Sequence, residues 1–177
     1  LSSMMLDYFA YTQDREFVKS TLLPIAEAGV TFYDQHFKRD ANGKLFMSPV
    51  NSVETFWKVN NPTPDIAGLK WVLDGLLALP NTITSESSRQ QWKRLLGELP
   101  ELPIGERDGT RIILPHQEPL IKASNCENPE LYTIYPFRLF GIGKPGLDLA
   151  RQTFNARKYR MMGCWSQEAV QAAYLGD

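Results

Sequence analysis

Cysteine is nearly missing from this chain: Cys126 and Cys164 are the only two among 177 residues. That count excludes a disulfide framework and a metal pattern, and leaves one bridge open as an alternative. Histidine is equally sparse, with His36 and His116 alone. No block of like charge occurs, and 19 Lys and Arg against 20 Asp and Glu leave a net charge of -1. A surface so balanced carries no electrostatic footprint for nucleic acid or for an acidic membrane. No apolar run approaches the roughly 18 residues that a bilayer span needs. The chain opens on Leu1 inside an apparent helix, without an initiator Met or a signal-type segment, and reads as cut from something larger.

What is present describes an ordinary soluble protein, with 43% hydrophobic and 22% charged residues. The length suits one domain, which would bury roughly 70% of the surface of its unfolded chain. Aromatics are plentiful: four Trp, seven Tyr and nine Phe. Most belong to a core, and a minority suits stacking on flat or sugar-like ligands.

Helical periodicity dominates the chain in order. Leu1, Met4, Met5, Tyr8 and Phe9 form the stripe of one amphipathic helix. Asp14 caps a second, running to about Lys38, in which Pro24 predicts a kink. His36 falls on that helix's apolar face, where a buried or half-buried histidine satisfied by one hydrogen bond outweighs a ligand role. Asn42-Gly43 marks a turn before a short strand at Leu45-Phe46-Met47. Thr63-Pro64-Asp65 is a helix start, and Ser85 or Ser88 caps the next. Asp108-Gly109 turns a hairpin between Ile104–Arg107 and Thr110–Leu114. Asn128-Pro129, Pro145 and Ser166 start three further helices, the last with Trp165 and Val170 as a hydrophobic staple. Seven helices alternating with long polar and tight loops suggest helical hairpins.

Two polar loops carry the residues suited to chemistry. The first, Ser48 to Asp65, offers Glu54, Asn51 and Trp57; the second, His116 to Glu127, offers His116, Glu118, Asn125 and Glu127, with Asn128 and Glu130 just beyond. Carboxylates, amides and an indole in loops on a rigid scaffold resemble the lining of a sugar site. Plainer readings stand beside each: Glu54 and Glu118 as surface carboxylates, Asn128 as a helix cap, Glu130 as a first-turn dipole partner, and Trp57 packing on its own scaffold.

In order along the chain, Asp14-Arg15-Glu16-Phe17 followed by Pro24, Ser48-Pro49-Val50-Asn51-Ser52-Val53-Glu54, Leu131-Tyr132-Thr133-Ile134-Tyr135-Pro136, Ala150-Arg151-Gln152-Thr153-Phe154-Asn155-Ala156-Arg157 and Cys164-Trp165-Ser166 resemble the C-terminal half of the six-hairpin (α/α)6 glycosidases, the family-95-like glycoside hydrolases in particular. The resemblance implies a mainly all-α fold, one domain over residues 1–177 forming half of an (α/α)6 toroid, with the hairpin at 104–114 as a small β excursion. It also implies inverting hydrolysis in the manner of α-L-fucosidases and α-L-galactosidases, without cofactor or metal, in a periplasmic or extracellular setting. The implied partners are a carbohydrate substrate and the remaining half of the toroid, with self-association where half a ring stands alone. Val53 and Thr55 stand where that family has Pro and Asn, Asn125 to Glu130 replace its histidine-rich run, and Pro119 replaces a Trp, which points away from a standard fucosidase.

Inversion requires a carboxylic acid and a carboxylate about 6.5–9.5 Å apart. Glu54 falls on the family's glutamate position and takes the acid role, with partial burial against Phe56 and Trp57 expected to keep it protonated. Glu118 is the first choice for the base side, with Glu127 and Glu130 in reserve. Asn51, Trp57, His116, Asn125, Glu127, Asn128 and Glu130 are the candidate sugar contacts. The alternatives are a non-catalytic carbohydrate-binding or scaffold helical module, and a polysaccharide lyase, which needs a Tyr or His base and a cation.

Overall fold

Helix signals in the first part of the chain are honoured in the computed structural model, which describes residues 1–117, 119–160 and 166–177. Neighbouring residues gather into two units, Leu1–Phe46 with Gly68–Pro100, and Met47–Ala67 with Glu101–Asp177.

In the first unit, α1 (Ser2–Thr12) buries Leu6 and Phe9 and ends at Gln13 with a left-handed φ of 57°. The expected stripe is only partly inward, since Leu1, Met4 and Tyr8 are exposed. Asp14 accepts the Phe17 amide at 3.0 Å and opens α2 (Arg15–Phe17). One π-helical turn, Val18–Leu22, then leads into α3 (Leu23–His36). Pro24 has no amide proton to continue the ladder, and the Leu23 amide bonds the Val18 carbonyl five residues back; the irregularity expected at Pro24 takes this wider form. His36 is exposed at the end of α3 and stacks on Phe32 with ring centres 4.9 Å apart, so the buried position expected for it is not found. A two-residue pair, β1 (Lys38–Arg39) with β2 (Leu45–Phe46), closes around Asn42-Gly43, where Gly43 adopts φ 76°.

α4 (Thr63–Ala78) and α5 (Glu86–Glu98) complete the helices of this unit, α4 being divided between the two units. Ser85 caps α5 by accepting the Ser88 amide at 3.0 Å. Leu22, Leu45, Leu73, Leu76, Trp92 and Leu95 are fully buried. Beside them Arg39 and Arg94 grip Asp34 and Glu98 in a four-membered ion network, with Arg94–Asp34 at 2.5 Å and Arg39–Glu98 at 2.6 Å. Burial works against the charge on Asp34 and on Glu98, but hydrogen bonds from both arginines outweigh it and hold both carboxyls below the usual range.

In the second unit the polar stretch after Ser48 is a bulged hairpin rather than a loop. β3 (Val50–Ser52) pairs antiparallel with β4 (Phe56–Val59), and Glu54 sits in the three-residue turn between them. Polar groups, most of them buried, fix this hairpin and the residues just after it to residues 114–117. Ser52 Oγ donates to the Pro115 carbonyl at 2.8 Å, the Gln117 amide to Asn60 O at 3.0 Å, and Thr63 Oγ1 to Leu114 O at 2.5 Å. Asn61 bonds Met47 in both directions through amide and side chain. Every one of these groups is paired, as burial demands.

The Asp108-Gly109 hairpin is present as β5 (Ile104–Arg107) and β6 (Thr110–Ile113), with φ 51° and 76° at the two turn residues; those angles fit the turn that matches strand twist. Asn128-Pro129 opens only a 3-10 turn, Pro129–Thr133, because Pro136 has no amide with which to extend a longer helix. α6 (Leu147–Asn155) and α7 (Glu168–Leu175) follow. Leu131, Ile134, Ala150, Phe154 and Leu175 form the core under them. Thr153 is buried and accepts the Ile113 amide at 3.0 Å, tying α6 to β6.

The mainly all-α expectation is therefore corrected. Among the described residues the chain is mixed, 49% helical and 12% strand, with three two-stranded sheets. Half of a ring of helical hairpins would have placed a loop after Ser48 and a short helix after Asn128. A short bulged hairpin stands after Ser48, and after Asn128 only a 3-10 turn forms, where Pro136 outweighs the weak helical period. No described helix is long and apolar enough to cross a membrane.

Candidate functional site

A cavity of about 360 Å³ opens in the second unit, lined by Glu54, Asn125 to Asn128, Leu131, Tyr132, Tyr159, Ser166 to Glu168 and Gln171. Its volume falls in the range of small-ligand sites. Four segments meet at it, and each is held by specific bonds.

The turn of the β3–β4 hairpin supplies Glu54. Its neighbour Thr55 is fully buried and joins the hairpin to the second polar loop twice: the Ser124 amide donates to Thr55 O at 2.7 Å, and Thr55 Oγ1 donates to Glu127 Oε2 at 3.2 Å. Glu127 is thereby oriented by a side chain that cannot move without disturbing the core. Asn128 makes no helix cap. Its Nδ2 donates to Tyr159 O at 2.7 Å and its Oδ1 accepts the Tyr159 amide at 3.1 Å, so both ends of one amide clamp the Tyr159 backbone at the cavity wall. Arg157 pairs with Glu168 at 2.9 Å and lies 3.9 Å from the Phe154 ring centre, which sets the start of α7 against the end of α6. Ser166 Oγ accepts the Glu168 amide at 3.4 Å.

Tyr132 feels both burial and the Glu127 charge, which push its phenol above the ordinary value; both effects disfavour a phenolate. The cavity thus offers the neutral Tyr132 phenol as a donor beside carboxylate acceptors. Glu54 itself is exposed, so the burial against Phe56 and Trp57 expected at the sequence level is absent.

Of the residues singled out from sequence, Glu54, Asn125, Glu127 and Asn128 meet at the cavity. The others lie elsewhere. Asn51 is exposed and accepts the Lys58 amide at 3.1 Å across its hairpin. Trp57 is 49% exposed on β4, away from the cavity lining. His116 is wholly buried, its ring 4.9 Å from that of Phe56 and its Nδ1 2.8 Å from the Gln117 carbonyl, while Nε2 has no hydrogen-bond partner. Burial outweighs that carbonyl and lowers its pKa. Glu130 is 2% exposed and pairs with Arg107 at 3.3 Å. Burial raises its pKa, against the pull of its own amide and of Arg107. Its position on the 3-10 turn faces β5 instead of the cavity. Glu118, Cys164 and Trp165 lie outside the described residues; Cys126 lines the cavity with a free thiol.

Tyr132, Tyr159, Ser166, Gln167, Glu168 and Gln171 are lining residues that sequence reasoning did not single out. Gln171 follows Gln167 and Glu168 by one helical turn, which is the only local signal that they share a face. No protein-family model matches the chain, and no curated protein matches it.

Proposed function

We propose that this cavity binds a glycan and that the chain hydrolyses a glycosidic bond there, with Glu54 and Glu127 as the acid/base pair. One observation carries the reading: two carboxylates from separate segments, Glu54 and Glu127, meet at one cavity whose wall also carries amides, a hydroxyl and phenols. Such a wall can satisfy many sugar hydroxyls at once, and tyrosine rings offer faces for sugar C–H groups. One carboxyl group protonates the leaving oxygen while the other activates water, the division of labour that glycosidases use. Glu127, in reserve on sequence grounds, becomes the partner of Glu54 because Thr55 fixes it at the same cavity. The resemblance to family-95-like glycosidases in the sequence motifs supports the same reaction class, and it favours a periplasmic or extracellular setting.

A second reading, glycan binding without turnover, draws on the exposure of Glu54, since a general acid works best in a site that excludes water. A panel of glycans incubated with the chain, followed by chromatography of released sugars, separates the two. Release that falls about 10²–10⁴-fold in both Glu54→Gln and Glu127→Gln supports hydrolysis. Binding with no release supports the second reading, and neither binding nor release overturns both.

A further inference from the structure

We propose that Gln171 sets which sugar the cavity takes, its Oε1 accepting a hydrogen bond from an unsubstituted hydroxyl of a neutral glycan. The proposal rests on the glycan reading above and adds the residue that reads the sugar.

Gln171 carries an amide that the fold does not use. It is 4% exposed and stands on α7 at the cavity wall. A side-chain amide has two donors and an acceptor with two lone pairs, and placing it in the interior is costly unless those groups are bonded. Among the described residues the Gln171 side chain makes one hydrogen bond, from Nε2 to the Leu131 carbonyl at 3.5 Å, which is long for such a bond. That carbonyl already accepts the Ile134 amide at 2.9 Å and the Tyr135 amide at 3.2 Å, so it has no need of a third donor. With Nε2 turned to Leu131, Oε1 is left without a partner in a residue that lines the cavity.

Gln167 repeats the pattern one turn earlier. It precedes Gln171 by four residues, which places the two on one helix face; it also lines the cavity, and its buried Oε1 has no hydrogen-bond partner. Two amide oxygens on one face match the adjacent hydroxyls of a sugar ring, each of which has a proton to donate. An ether or ester at such a hydroxyl would bring an acceptor against an acceptor, so a sugar substituted there is rejected.

The test uses the full chain, its Gln171→Met variant and neutral oligosaccharides ending in galactose, fucose or glucose. In calorimetric titrations the native chain should bind at least one of them, and Gln171→Met should bind that one about ten-fold more weakly, the effect of one lost hydrogen bond. Without sugar the melting temperature of the variant should fall by less than about 2 °C, because only a third, long bond to Leu131 is given up. On the native chain the side-chain amide NMR signals of Gln171 should shift as the sugar saturates it, a reading that needs no variant. Equal affinity of native chain and variant, a larger fall in melting temperature, or unmoved Gln171 signals overturns the inference and leaves glycan binding standing. Binding of none of the three oligosaccharides overturns both.

Discussion

Replacing Arg107 by Met removes the partner of a carboxylate that pairs with no other cation among the described residues. Glu130 is 2% exposed, and Arg107 stands 3.3 Å away while also donating to the Ala156 carbonyl at 2.8 Å. A buried charge deprived of its partner is strongly destabilising, but Glu130 has an escape, because it can take up a proton. Bringing a glutamate from its ordinary value of 4.5 to the neutral form at pH 7 costs about 3.4 kcal/mol. Burial already raises the pKa of Glu130 in the native chain, so part of that cost is present before the substitution. The lost bond to Ala156 adds about 1 kcal/mol. A net destabilisation of about 2–4 kcal/mol follows, or roughly 4–16 °C in melting temperature for a chain of this size. Thermal melts followed by circular dichroism at pH 7 and pH 5 measure it. The loss should be smaller at the lower pH, where the carboxyl is more easily protonated, and Glu130→Gln added to Arg107→Met should recover most of it. A loss below about 0.5 kcal/mol at pH 7, the scale of an ordinary surface substitution, would refute the reasoning.

The same linkage makes further outcomes testable. Because the folded pKa of Glu130 is raised, its contribution is fully present below the ordinary glutamate range and is lost as pH rises through the folded value; Glu130→Gln should flatten that part of the stability profile measured by urea denaturation. His116 carries the opposite dependence. Its folded pKa is lowered by burial, so the unfolded chain binds the extra proton first and stability falls as pH drops below the ordinary histidine range. His116→Gln should remove that decline in melting temperature. At Gly146, φ is 79° and an added Cβ would stand 2.7 Å from Phe140 Cε1, so Gly146→Ala should cost at least about 2 kcal/mol in chemical denaturation, from the left-handed backbone and overpacking together. Val53 holds φ 46° in the turn that carries Glu54, a poor conformation for a β-branched residue. Val53→Asn should therefore stabilise the chain by about 1 kcal/mol in the same assay.

Local signals were legible wherever a single residue decides a conformation. Asp108-Gly109 announces its hairpin because both positions need positive φ, and Ser85 announces α5 because its hydroxyl takes an orphan amide. The β3–β4 hairpin is obscured by its own turn: Val53, Glu54 and Thr55 carry no turn signature, and three-residue strands show too little alternation to register. Asn128 reads as a cap from its place before Pro129, yet its side chain is spent on the Tyr159 backbone 31 residues away. That choice is made by tertiary packing, which no local pattern records. Glu54, Asn125, Glu127 and Asn128, which line the cavity, were legible as candidates because they lie in or next to two polar stretches. Tyr159, Gln167 and Glu168 join them only when Arg157 and the core under α6 and α7 bring the later chain alongside.

The most direct measurement of the central claim is an amide NMR titration of the full chain with a neutral glycan oligomer. The account predicts saturable shifts at Glu54, Asn125 to Asn128, Tyr132, Tyr159 and Gln167 to Gln171, lost in Glu127→Gln. Shifts gathered instead on α1 and α3, or shifts that persist unchanged in Glu127→Gln, would contradict it.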